Sequence, residues 1–216
     1  MTSFRRRWDL RRLERMARHC PDGLVADVGF ASRPNIHLKG KVIGVDLRPY
    51  RPGPNYAAVV AAAAEALPFE GSLDAIAAGE IIEHLADPLA FLVGCNRALK
   101  TGGALVLSTP NPYHLTELAK NVLGSRSGLF EDTHISLLTY RGLHKLLDLA
   151  GFEVRGRWGT YIKLPGLRFA FPAGSLPTLS HNFVFLARKA RSVAPAEIGP
   201  RLRREYEQRK PRESEE

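Results

Sequence analysis

The stretch "LVADVGFASRPN", residues 24–35, decides the fold. It opens with a short apolar run, continues with an acidic residue and reaches Gly29, which is the order of a strand followed by a nucleotide-binding turn. Two further glycines usually follow in such a turn, but this chain has Ala31 and Arg33 instead. The stretch therefore predicts the first strand of an α/β sheet, followed by an altered binding loop.

Further apolar runs predict four more strands, at residues 41–47, 56–62, 73–80 and 103–110. Strands that are apolar throughout are buried on both faces, which is typical of a parallel sheet with helices on both sides. A helix is expected between the last two, capped by Asp87 with Pro88 at its first position. Another helix, closed by Gly151, precedes two long strands at 152–159 and 181–189.

The formal net charge of +9 is concentrated at the two ends of the chain. Residues 1–20 carry seven arginines against Asp9 and Glu14, and a basic amphipathic helix is predicted over Trp8–Cys20. The tail over 191–216 is charged and lacks a core, so it is predicted to be disordered or, from Pro195 on, loosely helical. Because the middle is nearly neutral, nucleic acid is not an expected partner, whereas contact with a membrane surface stays open.

The cysteines and the hydropathy pattern indicate the cellular setting. Only two cysteines occur, Cys20 and Cys95, and no apolar run reaches the length of a membrane span. A soluble cytoplasmic protein is therefore expected. The histidines show no metal-ligand spacing along the sequence, so no metal site is predicted.

Five segments, taken together and in order, resemble those of class I S-adenosylmethionine-dependent methyltransferases: "DVGFAS", "GVDL", "AEALPF", "GEIIEHLADP" and "STPNP". The resemblance covers roughly residues 24–190. It implies a doubly wound α/β fold, a mostly parallel seven-stranded sheet of order 3-2-1-4-5-7-6 whose last strand is antiparallel. The implied cofactor is S-adenosylmethionine, and the implied acceptor is a small molecule, sugar-linked or lipid-linked, methylated at oxygen. We therefore expect the chain to divide into an N-terminal helix (1–23), a methyltransferase domain (24–190) and a tail (191–216).

The resemblance also implies which residues hold the cofactor. In chain order they are Asp27, Gly29, Phe30 and Ala31 near the methionine portion, Asp46 at the ribose, Leu47, Ala64 and Glu65 at the adenine, and Gly79 and Glu80 near the methionine end. S-adenosylmethionine has no phosphate, so fewer glycines are needed than in a dinucleotide site. Ala31 is tolerable if its φ is negative. Arg33 is expected either to point outward or to pair with the carboxylate of the cofactor.

Methyl transfer to a hydroxyl requires a group that removes its proton, and imidazole titrates near neutral pH. The candidate catalytic residues are His84, just past the fourth strand, and His134, before a later helix. His84 could equally bind the backbone. Glu83 is expected to bind backbone donors or an arginine. A catalytically inactive binding protein of the same fold is the alternative function.

Two segments after the fifth strand are candidates for the acceptor side. Tyr113 and His114 are expected either to line the acceptor pocket or to lie on a loop surface, while Asn111 is expected to form a turn. The Pro-rich and Gly-rich connection 164–178 is either a packed insertion, a cover for the pocket or a membrane contact.

Overall fold

The computed structural model describes residues 3–48, 53–123, 133–164, 170–173 and 176–209. Nine strands lie in these ranges: β1 (Leu24–Val28), β2 (Lys41–Asp46), β3 (Tyr56–Ala61), β4 (Leu73–Gly79), β5 (Leu99–Pro110), β6 (Phe152–Gly159), β7 (Tyr161–Lys163), β8 (Ala170–Pro172) and β9 (Asn182–Lys189). Five helices accompany them: α1 (Ser3–His19), α2 (Pro88–Ala98), α3 (Leu115–Val122), α4 (Tyr140–Leu149) and α5 (Pro195–Arg209).

Seven strands form one sheet in the order β3-β2-β1-β4-β5-β9-β6. The pairs from β3 to β5 are parallel, and β9 is antiparallel to both of its neighbours. β9 is the last strand of the sheet in the chain and lies between β5 and β6, so the predicted order and the antiparallel last strand are confirmed. The carboxyl ends of β1, β2, β4 and β5 therefore meet at one edge.

Apolar cores cover both faces of this sheet. On one face α2 and α4 bury Phe91 and Leu147 against strand residues such as Phe185. On the other face α1 places Met16 against Val106 and Val184. Both core groups are removed from water, which is the main stabilising contribution in a fold of this size.

The helix starts and stops follow local chemistry. The Asp87 side chain accepts a hydrogen bond from the Ala90 amide (2.9 Å) and caps α2 as predicted. Gly151 closes α4 with φ 84°. The connection from β1 to β2 holds only a short 3-10 turn, Phe30–Ser32, since few residues and Pro34 separate the two strands. Among the described residues, no helix combines the length and the apolarity needed to cross a bilayer.

Of the two alternatives for the tail, the helical one applies to residues 195–209, which form α5. Its charged side chains pair with α4: Arg201 binds Asp148 at 2.5 Å, and Lys145 binds Glu205. The charge that indicated disorder in isolation is thus compensated by a neighbouring helix. Residues 210–216 lie outside the described residues, and the division of the chain into three segments stays a prediction.

The connection predicted over 164–178 contains structure of its own. β7 and β8 pair antiparallel, with Ile162 opposite Phe171. This two-stranded sheet was not predicted, because its strands are only three residues long. Residues 165–169 and 174–175 of the connection lie outside the described residues.

Candidate functional site

The turn after β1 is built around Gly29. Its φ of 76° lies in the left-handed region, and its amide donates to the Val45 carbonyl at 2.8 Å. A Cβ at this position would lie 2.5 Å from Cδ1 of Ile81. Both the backbone conformation and the close approach of Ile81 therefore require glycine here.

The residues that replace the usual glycines are accommodated without strain. Among the described non-glycine residues only Glu80 has a positive φ, so the condition set for Ala31 is met. The Arg33 guanidinium pairs with Asp9 of α1, which ties the turn to the N-terminal helix. Phe30 is buried against Tyr56, with ring centroids 5.1 Å apart, on the core side of the turn. Its side chain therefore fills core space.

The carboxylate of Asp46 lies at the end of β2, next to this turn. It accepts from the Ala31 amide at 3.1 Å and from the Arg48 amide at 3.3 Å. Leu47 beside it is 73% exposed, which is unusual for a large apolar side chain. The Ala62 amide donates to the Asp46 carbonyl at 3.0 Å, so the chain leaving β3 runs alongside.

The predicted adenine residues Ala64 and Glu65 follow on that same chain. They lie in a 3-10 turn, Ala64–Ala66, where Ala64 is buried and Glu65 is half-buried. The structure thus brings Gly29, Asp46, Leu47 and this turn to neighbouring strand ends.

Asp27 uses its carboxylate inside the protein. Oδ2 accepts from the Asn35 amide (3.1 Å) and from the Tyr56 hydroxyl. Burial raises the pKa of Asp27 to about 6, although the hydrogen bonds from Tyr56 and Asn35 work in the opposite direction. The residue stabilises the loop from 29 to 40, and a direct role toward the cofactor stays a prediction.

At the end of β4 the side chains are already engaged. Glu80 has φ 55°, and its carboxylate accepts from Ser108 Oγ (2.9 Å) and Asn182 Nδ2 (2.5 Å). A Cβ on Gly79 would lie 2.8 Å from Nη1 of Arg12, which donates to Ser108 Oγ at 2.7 Å. The side chain of Arg12 thus fills the open face of Gly79, and at both positions only main-chain groups are left for a cofactor.

Arg12 was missed by sequence reasoning. It is 3% exposed, while Leu10, which was expected on the buried face of α1, is 42% exposed. An arginine in a basic helix is normally assigned to the solvent face. Its position four residues before Met16, on the same side of the helix, was the available signal.

The two predicted bases lie next to each other. The rings of His84 and His134 have centroids 4.7 Å apart at 63°. Nδ1 of His84 lies 2.9 Å from the Thr133 carbonyl oxygen. A carbonyl can only accept, so Nδ1 carries the proton and Nε2 presents its lone pair.

Glu83 lies beside this imidazole pair. Oε2 accepts from Thr109 Oγ1 at 3.1 Å, while Oε1 is buried and has no hydrogen-bond partner within the part of the chain that the structure describes. Burial, and secondarily the charge of Glu80, raises the pKa of Glu83 to about 8. Against the effect of burial, a hydrogen bond from the Glu83 backbone and the charge of Arg12 act to lower the pKa of this carboxyl. Single atoms of Glu83, His84 and His134 lie within 4.8 Å of one another, so the three could hold a cation.

The residues after β5 take structural positions. Asn111 forms the predicted turn: its Nδ2 donates to the Ser180 carbonyl at 2.7 Å, and its Oδ1 accepts from the Tyr113 amide. His114 is buried, with Nε2 accepting from the Lys163 amide at 3.2 Å. Tyr113 is 60% exposed beside it.

Comparisons with known proteins agree with this fold. A chain from Thermotoga maritima, described as a SAM-dependent methyltransferase, superposes with a TM-score of 0.64 at 21% identity, covering 86% of this chain and 94% of the other. The 1,6-didemethyltoxoflavin-N1-methyltransferase of Burkholderia thailandensis, solved with S-adenosylhomocysteine, superposes with a TM-score of 0.56 at 17% identity over 84% and 78%. At these identities the likeness concerns the fold alone.

Curated relatives are similar over shorter segments. The ubiquinone biosynthesis O-methyltransferase of Dinoroseobacter shibae is 38% identical over 96 residues, which are 42% of this chain and 38% of the relative. That of Xanthomonas oryzae pv. oryzae is 51% identical over 78 residues, 36% and 29% of the two chains. The chain thus spans well under half the length of these relatives. The methyltransferase-domain family matches residues 19–156, more than half of the chain. This chain belongs to that family of methyltransferase domains.

Proposed function

We propose that this chain transfers a methyl group from S-adenosylmethionine to an oxygen of an acceptor. One observation carries the proposal: Ile81 contacts Gly29 in the first turn and also begins the turn that holds His84, whose amide donates to the Ile81 carbonyl at 2.9 Å. The candidate cofactor loop and the candidate base are therefore joined through a single residue, by its side chain on one side and its carbonyl on the other.

The residues at the strand ends fit the chemistry of the cofactor. Gly29 has no side chain that would enter the cofactor space, the Asp46 carboxylate can accept from the ribose hydroxyls, and exposed Leu47 can cover the adenine. The cofactor supplies an activated methyl group on a sulfonium, so the protein has to orient the acceptor and remove its proton. Nε2 of His84, with its lone pair free of the Nδ1 proton, is suited to that step.

Calorimetric titration with S-adenosylmethionine and S-adenosylhomocysteine tests the cofactor site. Asp46→Ala should weaken binding roughly 10- to 100-fold, because hydrogen bonds to a charged group contribute about 1.5–3 kcal/mol. Asp22→Ala, at an exposed acidic position, is the matched control and should leave binding unchanged. The absence of measurable heat with either ligand, or equal affinity in both variants, would remove the proposal.

Exposed apolar side chains beside the site support an acceptor with an apolar portion. They belong to α3, to the residue pair before it and to β8: Tyr113, Leu115, Leu118 and Phe171. α3 is bound to β7 through Thr116 Oγ1, which donates to the Lys163 carbonyl at 2.9 Å. Each methylene buried on such a surface contributes about 0.8 kcal/mol. Membrane contact through the same surface stays a prediction.

The acceptor is tested with a phenol and the same phenol carrying a long alkyl chain. Methylation of the chain-bearing phenol should have a kcat/KM at least tenfold higher. Leu118→Ser should remove much of that preference while leaving the short phenol unaffected. Equal kcat/KM for both phenols would contradict an apolar acceptor portion.

A binding protein without catalysis is the second candidate. It is favoured by Ile81, which faces Gly29 closely, and by Glu80, whose carboxylate is already saturated by Ser108 and Asn182. Release of S-adenosylhomocysteine during incubation with a panel of hydroxylated acceptors separates the two. Tight cofactor binding without turnover on any of them would favour this second candidate.

A further inference from the structure

Three side chains that could bind a metal ion converge beyond the end of β4. Glu83 and His84 lie in the 3-10 turn Ile82–His84, and His134 comes from a separate segment of the chain. The two segments are joined by the main chain, because the amides of Ile135 and Ser136 donate to the Glu83 carbonyl at 2.9 and 3.0 Å. The juxtaposition is thus fixed by backbone hydrogen bonds.

The buried carboxylate of Glu83 needs a positively charged or protonated partner. Its side chain is 2% exposed, and none of the described residues donates a hydrogen bond to Oε1. Glu80, the neighbouring acid, differs because Ser108 and Asn182 both donate to it. A carboxylate oxygen removed from water without a partner is costly, and metal coordination is one of the ways in which proteins offset that cost.

The imidazole of His84 is oriented as a ligand would be. Its Nδ1–H is held by the Thr133 carbonyl, and such a backbone acceptor on the second ring nitrogen is typical of metal-binding histidines. Nε2 lies 4.0 Å from Oε1 of Glu83, too far for a hydrogen bond between them. A tetrahedral ion with ligand bonds of about 2.0–2.2 Å holds its ligand atoms roughly 3.4 Å apart. A small movement of the half-buried histidines would suffice.

We infer that Glu83, His84 and His134 form a binding site for a divalent transition-metal ion such as Zn²⁺. Imidazole and carboxylate donors in this combination suit zinc or iron better than magnesium or calcium, which prefer oxygen ligands alone. The expectation of no metal rested on spacing along the sequence, and His134 is too distant in the sequence for such spacing to reveal the cluster.

The role of the ion rests on the proposed methyl transfer. A set of two histidines and one glutamate leaves a coordination position open. An acceptor hydroxyl bound there would lose its proton to water, since a bound cation lowers the pKa of a hydroxyl. Its oxygen would then bond to the methyl carbon, and the carbon–sulfur electron pair would return to sulfur to give S-adenosylhomocysteine. The cation would thus take over the activation of the acceptor from a free imidazole.

Calorimetry on the full chain, stripped with a chelator and titrated with ZnCl2 in the absence of cofactor and acceptor, tests the site. One equivalent should bind, and Glu83→Gln and His134→Ala should each weaken binding at least tenfold. His144→Ala, on an exposed face of α4, is the control and should bind as the wild-type chain does. Circular dichroism shows whether each variant folds. If Glu83→Gln does not fold, His134→Ala still tests the site, because His134 is half-buried and its replacement should disturb the fold less.

Zinc binding and methylation after chelation test the metal site and its catalytic role separately. No saturable binding, or equal affinity in all variants, overturns the metal site without affecting cofactor binding at Asp46. Methylation that stops on chelation and returns with added Zn²⁺ supports the catalytic role. Methylation that continues unchanged after chelation overturns that role.

Discussion

The turn after β1 and the cluster after β4 are built in different ways. In the turn, the contact of Asp46 with Ala31 spans 15 residues and joins a side chain to the main chain. In the cluster, His84 meets Thr133 across 49 residues, and Glu83 meets Thr109 across 26. The first region offers main-chain groups and one carboxylate to a ligand, whereas the second offers titratable side chains. A short sequence motif therefore suffices to predict the turn after β1. The cluster after β4 forms only when the whole sheet brings distant residues together.

The largest effect is expected at the cluster. Replacing His84 with alanine removes the group nearest the proposed acceptor, and turnover should fall about 10²–10⁴-fold, as for loss of a general acid or base. Cofactor affinity should stay within about twofold, because the turn after β1 is intact. Initial rates together with calorimetry measure both quantities. A parallel loss of cofactor affinity would show that the two regions are not separable.

Asp27 provides a test of how the turn region depends on pH. Its pKa is about 6 in the folded chain and 3.8 without burial, so the folded state holds the proton more tightly. The free energy of unfolding should therefore fall as pH rises from about 4 to 6, by up to about 3 kcal/mol. Asp27→Asn should remove that decline, as measured by urea unfolding across this range. Asp22→Asn, at an exposed position, should keep it, and an unchanged slope in Asp27→Asn would contradict the assignment.

Gly29 tests whether the turn depends on close packing. Gly29→Ala has to adopt φ 76° and to accept a contact with Ile81, whereas Gly102→Ala has the same φ of 76° and no atom within 4 Å of the new Cβ. The left-handed conformation alone costs about 1–2 kcal/mol, so both variants should lose that much stability. Gly29→Ala should lose more in urea unfolding.

The double variant Gly29→Ala/Ile81→Ala serves as the internal check on that packing contact. Relative to Ile81→Ala alone, the glycine replacement should then cost only as much as Gly102→Ala does. If Gly29→Ala and Gly102→Ala were equally destabilised from the start, Ile81 would not constrain the turn.

The smallest effect is expected where the turn meets α1. Asp9→Asn breaks the pair with Arg33, whose side chains are 27% and 38% exposed. Partly exposed ion pairs contribute about 0.2–1 kcal/mol. The free energy of unfolding should therefore fall by less than about 1 kcal/mol, and cofactor affinity should change by less than about fivefold. Glu14→Gln, which breaks a more exposed pair with Arg18, should change neither. A large loss of cofactor affinity in Asp9→Asn would mean that α1 is part of the cofactor site.

The sheet could be predicted from the sequence because each buried strand is a nearly continuous apolar run. β4 and β5 have fully buried residues along most of their length, and the glycine and acid at the ends of β1 and β2 are local signals. The docking of α5 could not be predicted, since the partners that neutralise its charge, Asp148 and Lys145, lie on another helix. Helix propensity and composition describe only the local sequence, so they do not reveal neutralising charges on another helix.

The candidate site was predictable to a similar degree. Gly29, Asp46 and His84 follow strands, and position alone identifies them. The engagement of Glu80 by Asn182 spans 102 residues and depends on β9 lying between β5 and β6. The pairing of His84 with His134, and the burial of Arg12, likewise arise from packing that no periodicity reports.

The buried link from Arg12 through Ser108 and Glu80 to Asn182 has a consequence for biosynthesis. α1 precedes β9 in the chain, so the helix emerges from the ribosome before its binding surface is complete. The packing of Met16 likewise requires Val184, which belongs to β9. The nascent chain therefore carries an arginine-rich helix undocked until β9 has emerged, and closure of the domain joins two elements that lie far apart in the sequence.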